Sequence, residues 1–230
     1  MRTDETLQAV VFDLDGLMFN TEELYRDVGH LLVSRRGHEA PPELFDAMMG
    51  RPGNVSLKIM IEWYGFSDTI EELTTESGDI FSELLNNRLE PMPGTLVLLD
   101  ALEKARVPKA IATSSGREFV LDVLSRFEFE PRFDFLLTAE DVTQGKPFPE
   151  VYQTAARRLG VAPGSMMVLE DSQAGLRAAV EAGAYAVAVP SPFSSHHDFS
   201  GAAMVVDSLE DPRIYQALGL PATGASSDQG

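Results

Sequence analysis

Hydrophobic positions along this chain follow two rhythms. From Thr21 to about Leu89 the apolar residues recur only at helical spacing. That spacing predicts helices over Glu22–Arg36, Pro42–Met49, Val55–Tyr64 and Ile70–Arg88, with Gly50–Asn54 as a loop. Thr69 with Glu72 three residues on has the form of a capping box. Thr21 can cap the first helix, and Gly37 can end it. After Pro91-Met92-Pro93-Gly94 the character changes, and short apolar runs alternate with helical stretches. Strands are expected at Lys109–Thr113, Phe135–Thr138, Met166–Glu170, Tyr185–Val189 and Met204–Val206. Helices are expected at Leu96–Ala105, Pro149–Leu159, Ser172–Ala182 and Asp211–Leu218, with a further one carrying Phe119, Val120, Val123, Leu124 and Phe127 on one face.

One more strand stands alone near the start. Ala9–Phe12 is short, apolar and followed by turn residues, the pattern of a strand buried on both faces. Alternating strands and helices predict an α/β fold with a doubly wound, mostly parallel sheet. The helical block interrupts that alternation after the first strand. The expected organisation is therefore a core of residues 1–16 and 93–220, an inserted all-helical cap over 17–92, and a disordered Ala/Gly/Ser-rich tail at 221–230.

Composition narrows the partners. Lys and Arg number 18 against 36 Asp and Glu, a formal charge of −18. Nucleic acids and anionic membranes need clustered positive charge, so neither is expected as a partner. No apolar run approaches the roughly 18 residues of a membrane span. The first residues, Met1–Thr6, lack an apolar stretch of the secretory kind, and the chain has no cysteine, so a cytoplasmic location is expected. Thiolate metal sites and Cys nucleophiles are excluded.

The candidate chemistry sits just past the strands. Parallel sheets bind ligands beyond the carboxyl ends of their strands. Asp13 and Asp15-Gly16 follow the first strand; Thr113-Ser114-Ser115-Gly116 follow the second. Gly145-Lys146-Pro147 precedes the helix at Pro149, and Glu170-Asp171-Ser172 closes a later strand. Each piece has a plainer reading as a turn, a loop or a helix cap. Together they bring up to four carboxylates, one lysine and several hydroxyl and N–H donors to one mouth. Ionised carboxylates at a buried strand end need a cation or a shared proton. Oxygen ligands and a phosphate suit Mg²⁺. Hydroxyls and N–H groups leading into a helix suit phosphate oxygens. One carboxylate is then available as a nucleophile and a second as general acid and base.

With these sites in hand, the chain resembles the haloacid dehalogenase-like superfamily, and within it the β-phosphoglucomutase/phosphatase group with a helical cap. The motifs are F-D-L-D-G-L, A-T-S-S-G, G-K-P-F-P-E and L-E-D-S-Q-A-G-L-R-A-A, in that order over about residues 8–218. The resemblance implies Asp13 as nucleophile and Asp15 as general acid/base. It implies that Thr113 and Lys146 orient the phosphoryl group, with Gly16, Ser114 and Ser115 among the substrate-binding residues. It also implies Mg²⁺ held by the Asp13 side chain, the Asp15 main-chain carbonyl and Asp171, with Glu170 in or near the shell. Gly50-Arg51 falls where the family's cap presents a substrate-facing loop.

The expected activity is Mg²⁺-dependent hydrolysis of a small phosphorylated metabolite, such as a sugar phosphate, by a monomer or small homo-oligomer. A phosphosugar mutase is the alternative with the same core chemistry. The mutase branch carries a His in the first cap helix, where this chain has Tyr25, and an Arg three positions before a Ser-Leu pair, where Gly53 precedes Ser56-Leu57. Both departures favour hydrolysis. A non-catalytic phosphate-binding module on the same fold is the alternative of another class. Met48, Met49, Met60 and Trp63 are expected to be packing residues of the cap.

Overall fold

The computed structural model describes residues 6–48 and 53–221. One six-stranded sheet is built from β1 (Ala9–Phe12), β2 (Lys109–Ala112), β3 (Phe135–Leu137), β4 (Met166–Glu170), β5 (Tyr185–Ala188) and β6 (Met204–Val205). Its order is β3-β2-β1-β4-β5-β6, and every pairing is parallel. The helices are α1 (Thr21–Ser34), α2 (Pro42–Met48), α3 (Gly53–Tyr64), α4 (Ile70–Arg88), α5 (Thr95–Lys104), α6 (Arg117–Ser125), α7 (Glu150–Leu159), α8 (Gln173–Glu181) and α9 (Pro212–Ala217). Three short 3₁₀ turns, at Glu130–Arg132, Ala139–Asp141 and Pro163–Ser165, were not anticipated by the hydrophobic pattern.

All residues of β1, β2 and β4 are buried, which is why these strands read as apolar runs rather than alternations. Val11, Ala110 and Val168 turn to one face and pack with Tyr152 and Ala155 of α7 and Leu176 and Ala179 of α8. On the other face Phe12 meets Phe133 edge-on at 6.0 Å. The chain runs outward from β1 through β2 to β3, then returns to the far side of β1 for β4, β5 and β6. The order reverses between β1 and β4, and the crevice beyond their carboxyl ends is where such sheets take ligands.

The chain divides into two compact units, Met1–Asn20 with Pro91–Gly230 and Thr21–Glu90. Residues 17–20 and 91–92 belong with the sheet, inside the range 17–92 assigned above to the insertion. Packing explains the shift. Phe19 bridges both Asp15 and Pro91, and its ring lies 5.2 Å from Phe127 and 5.6 Å from Phe129. The Met92 N–H donates to the Met18 carbonyl at 2.8 Å.

The helical unit has its own core of Val28, Leu32, Leu44, Met60, Leu73 and Ile80. The Thr69–Glu72 capping box starts α4. Arg36, just past α1, pairs with Asp68, ahead of α4, at 2.6 Å and with Glu76 of α4 at 2.7 Å. Met60 is buried, but Trp63 is 47% exposed, so Trp63 is not the packing residue expected. Each step of three residues turns about 60° round the helix, so two steps from buried Leu57, through Met60, carry Trp63 to the edge of the apolar stripe of α3. Met49, Gly50, Arg51 and Pro52 lie outside the described residues, as do 222–230 of the expected tail. Among the described residues no helix is long and apolar enough to cross a membrane.

Candidate active site

The strand register places the first acid. Phe12 pairs with Leu169 and Ile111, and the Asp13 N–H donates to the Leu169 carbonyl at 3.0 Å, so Asp13 stands at the rim between β2 and β4. Gly16 follows with φ of 76°, and its N–H donates to the Phe19 carbonyl at 3.0 Å. A left-handed backbone there turns the chain back on itself, which glycine does without a β-carbon clash. The Gly16 N–H is thus engaged within that turn.

Lys146 reaches the same rim from the loop after β3. Its ammonium donates to Asp13 Oδ1, to the Ala112 carbonyl at 2.9 Å and to Glu170 Oε1 at 2.6 Å. The loop is fastened by Glu150 at the start of α7, which accepts from the Thr143 and Gln144 N–H groups at 2.9 and 2.8 Å. That bond explains the glutamate of G-K-P-F-P-E: it fixes the loop that aims the lysine.

Glu170 is the last residue of β4 and fully buried. Besides Lys146, its Oε1 accepts from the Tyr152 hydroxyl at 2.5 Å. Its Oε2 accepts from the Ser172 N–H at 3.3 Å and the Ser172 hydroxyl at 3.1 Å. Asp171 is buried beside it, and ligand oxygens of Asp13, Glu170 and Asp171 lie within 4.8 Å of one another. Burial pushes the Asp13 carboxyl well up from its ordinary range, and the Lys146 ammonium opposes this. Burial disfavours the Lys146 charge in turn, but Asp13 and Glu170 outweigh it and hold the ammonium protonated.

Asp15 has other partners. Its Oδ2 accepts from the Ser115 hydroxyl at 2.6 Å and the Thr113 hydroxyl at 3.2 Å. Thr113 is placed by its own N–H bond to the Leu137 carbonyl, 3.0 Å, and its hydroxyl also accepts from the Ser115 N–H at 3.0 Å. The loop after β2 is tied to the turn after β3. The Ala139 N–H donates to the Ser115 carbonyl at 3.0 Å, and both Glu140 oxygens accept from the Arg117 N–H at 3.1 Å. A cleft of about 190 Å³ opens there, lined by Thr113, Ser114, Thr143, Gly145 and Lys146 among others.

Asp13, Lys146, Glu170 and Asp171 therefore form one buried group, and Asp15, Thr113 and Ser115 a second one beside it. Ser114 is exposed on the cleft wall. Arg51 lies outside the described residues. Sequence reasoning did not single out Tyr152, Glu140 or Glu150. Tyr152 had a signal: a tyrosine on the apolar face of a helix needs a partner for its hydroxyl.

Comparison with known proteins gives the family. The model of the haloacid dehalogenase-like hydrolase family matches residues 10–189. A phosphorylated carbohydrates phosphatase of Thermotoga maritima is 33% identical over 181 residues, covering 77% of this chain and 82% of that protein. A Drosophila melanogaster protein named probable pseudouridine-5′-phosphatase is 34% identical, covering 92% and 94%. The crystal structure of a Deinococcus radiodurans hydrolase of the same family, with bound phosphate and sodium, superposes with a TM-score of 0.81 at 25% identity, over 94% of this chain and 98% of that one. The fold and these relatives define a phosphoric monoester hydrolase. The chain belongs to the haloacid dehalogenase-like hydrolase family.

Proposed function

We propose that this chain hydrolyses a small phosphomonoester with Mg²⁺ as cofactor, through a phosphoryl group carried transiently on Asp13. The observation that carries the reading is the separation of the two aspartates of D-L-D-G. Asp13 lies among buried charges, whereas Asp15 is held by hydroxyls.

The residues fit a divalent cation. Asp13, Glu170 and Asp171 bring three carboxylates within 4.8 Å, and Lys146 brings one positive charge to Asp13 and Glu170. Two negative charges in excess at a buried site call for a divalent ion with oxygen ligands. Asp13, Asp171 and the Asp15 main-chain carbonyl would hold Mg²⁺, with Glu170 alongside. Bound there, the ion would neutralise charge on the phosphate oxygens and the attacking carboxylate.

The chain's own residues account for the remaining steps. Thr113, Lys146 and the donors lining the cleft bind the phosphoryl oxygens. An Asp13 carboxylate oxygen attacks phosphorus, the P–O bond to the alcohol breaks, and Asp15 gives its proton to the departing oxygen. Water then attacks the acyl phosphate. Asp15 takes a proton from that water, the Asp13–phosphorus bond breaks, and inorganic phosphate leaves with Asp13 regenerated. The cleft of about 190 Å³ suits a phosphoryl group rather than a whole metabolite. The two curated relatives, named for phosphorylated carbohydrates and pseudouridine 5′-phosphate, support a small phosphorylated substrate with a sugar-like leaving group. The helical unit is read as the cap of this family, which would choose among such groups.

The test is phosphate release from a panel of sugar and nucleoside monophosphates, with Mg²⁺ and with chelator. Release that needs Mg²⁺ and is lost in Asp13→Asn, which still binds phosphate, is expected. No Mg²⁺-dependent release from any member would overturn the reading, and an isomer formed in place of free phosphate would make the chain a mutase.

A further inference from the structure

Tyr152 lies on the buried face of α7, with none of its surface exposed, and touches both charged partners of the rim. Its hydroxyl donates to Glu170 Oε1 at 2.5 Å, and the Lys146 ammonium stands 5.2 Å from the centre of its ring. Lys146 donates to the same oxygen at 2.6 Å. An ionised carboxylate accepts about four hydrogen bonds. Glu170 has four donors: Lys146 and Tyr152 on Oε1, and the N–H and hydroxyl of Ser172 on Oε2. Gly175 closes the remaining space, since a β-carbon there would stand 1.8 Å from Oε1.

From this geometry we infer that Tyr152 is a positioning residue: its hydroxyl fixes the Glu170 carboxylate, and Glu170 so fixed aims the Lys146 ammonium at Asp13. Tyr152 is too deeply buried to meet a substrate arriving from solvent, so it acts through Glu170. Without the hydroxyl, Oε1 keeps only Lys146, and the carboxylate is held less firmly about its last torsion, by Ser172 on Oε2 alone besides the lysine. The ammonium then follows Glu170 and leaves Asp13 less well oriented. Groups that orient a charged site from behind it are worth about 10–100-fold in affinity or activity. This inference rests on the proposed use of Asp13 and Lys146 in phosphoryl transfer.

Tyr152→Phe is a selective probe, because it keeps the ring under Lys146 and removes only the hydroxyl. Expected is a roughly ten-fold lower kcat for p-nitrophenyl phosphate, with KM within two-fold of wild type. Mg²⁺ affinity of the substrate-free protein, measured by titration calorimetry, is expected to fall by about the same factor. In a Glu170→Gln background, adding Tyr152→Phe should have no additional effect on Mg²⁺ affinity, whereas a purely structural role would give the same loss in both backgrounds. Wild-type kcat and wild-type Mg²⁺ affinity in Tyr152→Phe would overturn the inference, as would an equal loss in the Glu170→Gln background. If Tyr152→Phe does not fold, Ser172→Ala, which takes the hydroxyl from Oε2 of the same carboxylate and leaves only the main-chain N–H there, must lower Mg²⁺ affinity in the same direction or the inference falls. The calorimetric arm does not depend on turnover, so a wild-type protein inactive on every ester would fail the proposed function alone.

Discussion

Gly175 and Glu170 are in such close contact that a β-carbon at position 175 would lie 1.8 Å from Oε1 and 2.0 Å from the carboxyl carbon. The carboxylate cannot yield cheaply, because Lys146, Tyr152 and Ser172 hold both of its oxygens. Gly175→Ala should therefore strain the buried charge group itself. We expect a loss of about 1–3 kcal/mol in stability by urea denaturation, together with a fall in turnover. A stable and fully active Gly175→Ala would mean that the carboxylate can move aside.

Lys146→Met removes the ammonium shared by Asp13 and Glu170 and leaves their carboxylates facing one another in a buried place. Breaking a buried pair by removing one partner costs about 3–5 kcal/mol. That loss is expected in chelator, and Mg²⁺ should recover part of it by supplying positive charge to the same oxygens. Denaturation curves with and without Mg²⁺ measure both effects.

The two serines after Thr113 have different jobs. Ser115 donates its hydroxyl to Asp15 at 2.6 Å, whereas Ser114 is exposed on the cleft wall. A typical hydrogen bond is worth about 1 kcal/mol, so Ser115→Ala, which loosens the side chain of Asp15, should lower kcat about five-fold. Ser114→Ala should act on KM instead. Steady-state kinetics of the two variants on one substrate separate these outcomes.

The Arg36 network gives the helical unit a pH dependence of known sign. Hydrogen bonds from Arg36 hold the Asp68 and Glu76 carboxyls below their ordinary range. Folded-state values below the unfolded ones mean that this stabilisation is present above about pH 4 and is lost as the pH falls through the lowered values. Arg36→Met should cost about 1–2 kcal/mol at neutral pH, discounted for partial exposure. The difference from wild type should vanish on acidification through that range. A pH-independent difference in thermal unfolding would show that the arginine acts by packing instead.

Much of the architecture can be read from local patterns. Strands buried on both faces must be apolar runs, and helices between them must carry one apolar stripe, so the order β1, helical block, then alternating strands and helices is written in the chain. The ends of elements were less legible, since Phe19 and Met18 join the sheet unit through contacts with residues more than seventy positions away. The 3₁₀ turns leave no mark in the hydrophobic pattern, because three residues are too few to carry a period.

The chemistry divides in the same way. The residue types after each strand pointed to a site for phosphate and a hard cation only as a set, because each piece alone reads equally well as a turn, a loop or a helix cap. Their grouping was decided by the sheet. Parallel register sets Asp13 beside Leu169, which brings Glu170 and Asp171 to it, while the turn at Gly16 sends Asp15 to Thr113 and Ser115. Tyr152 and Gly175 became visible only in three dimensions, one as a donor to a carboxylate and the other as the space that carboxylate fills. Sequence alone determined which groups were available, since propensity and hydrophobic period act over neighbouring residues. Tertiary structure decided which charge faces which, because electrostatic pairing and close packing act across space between residues that the chain keeps far apart.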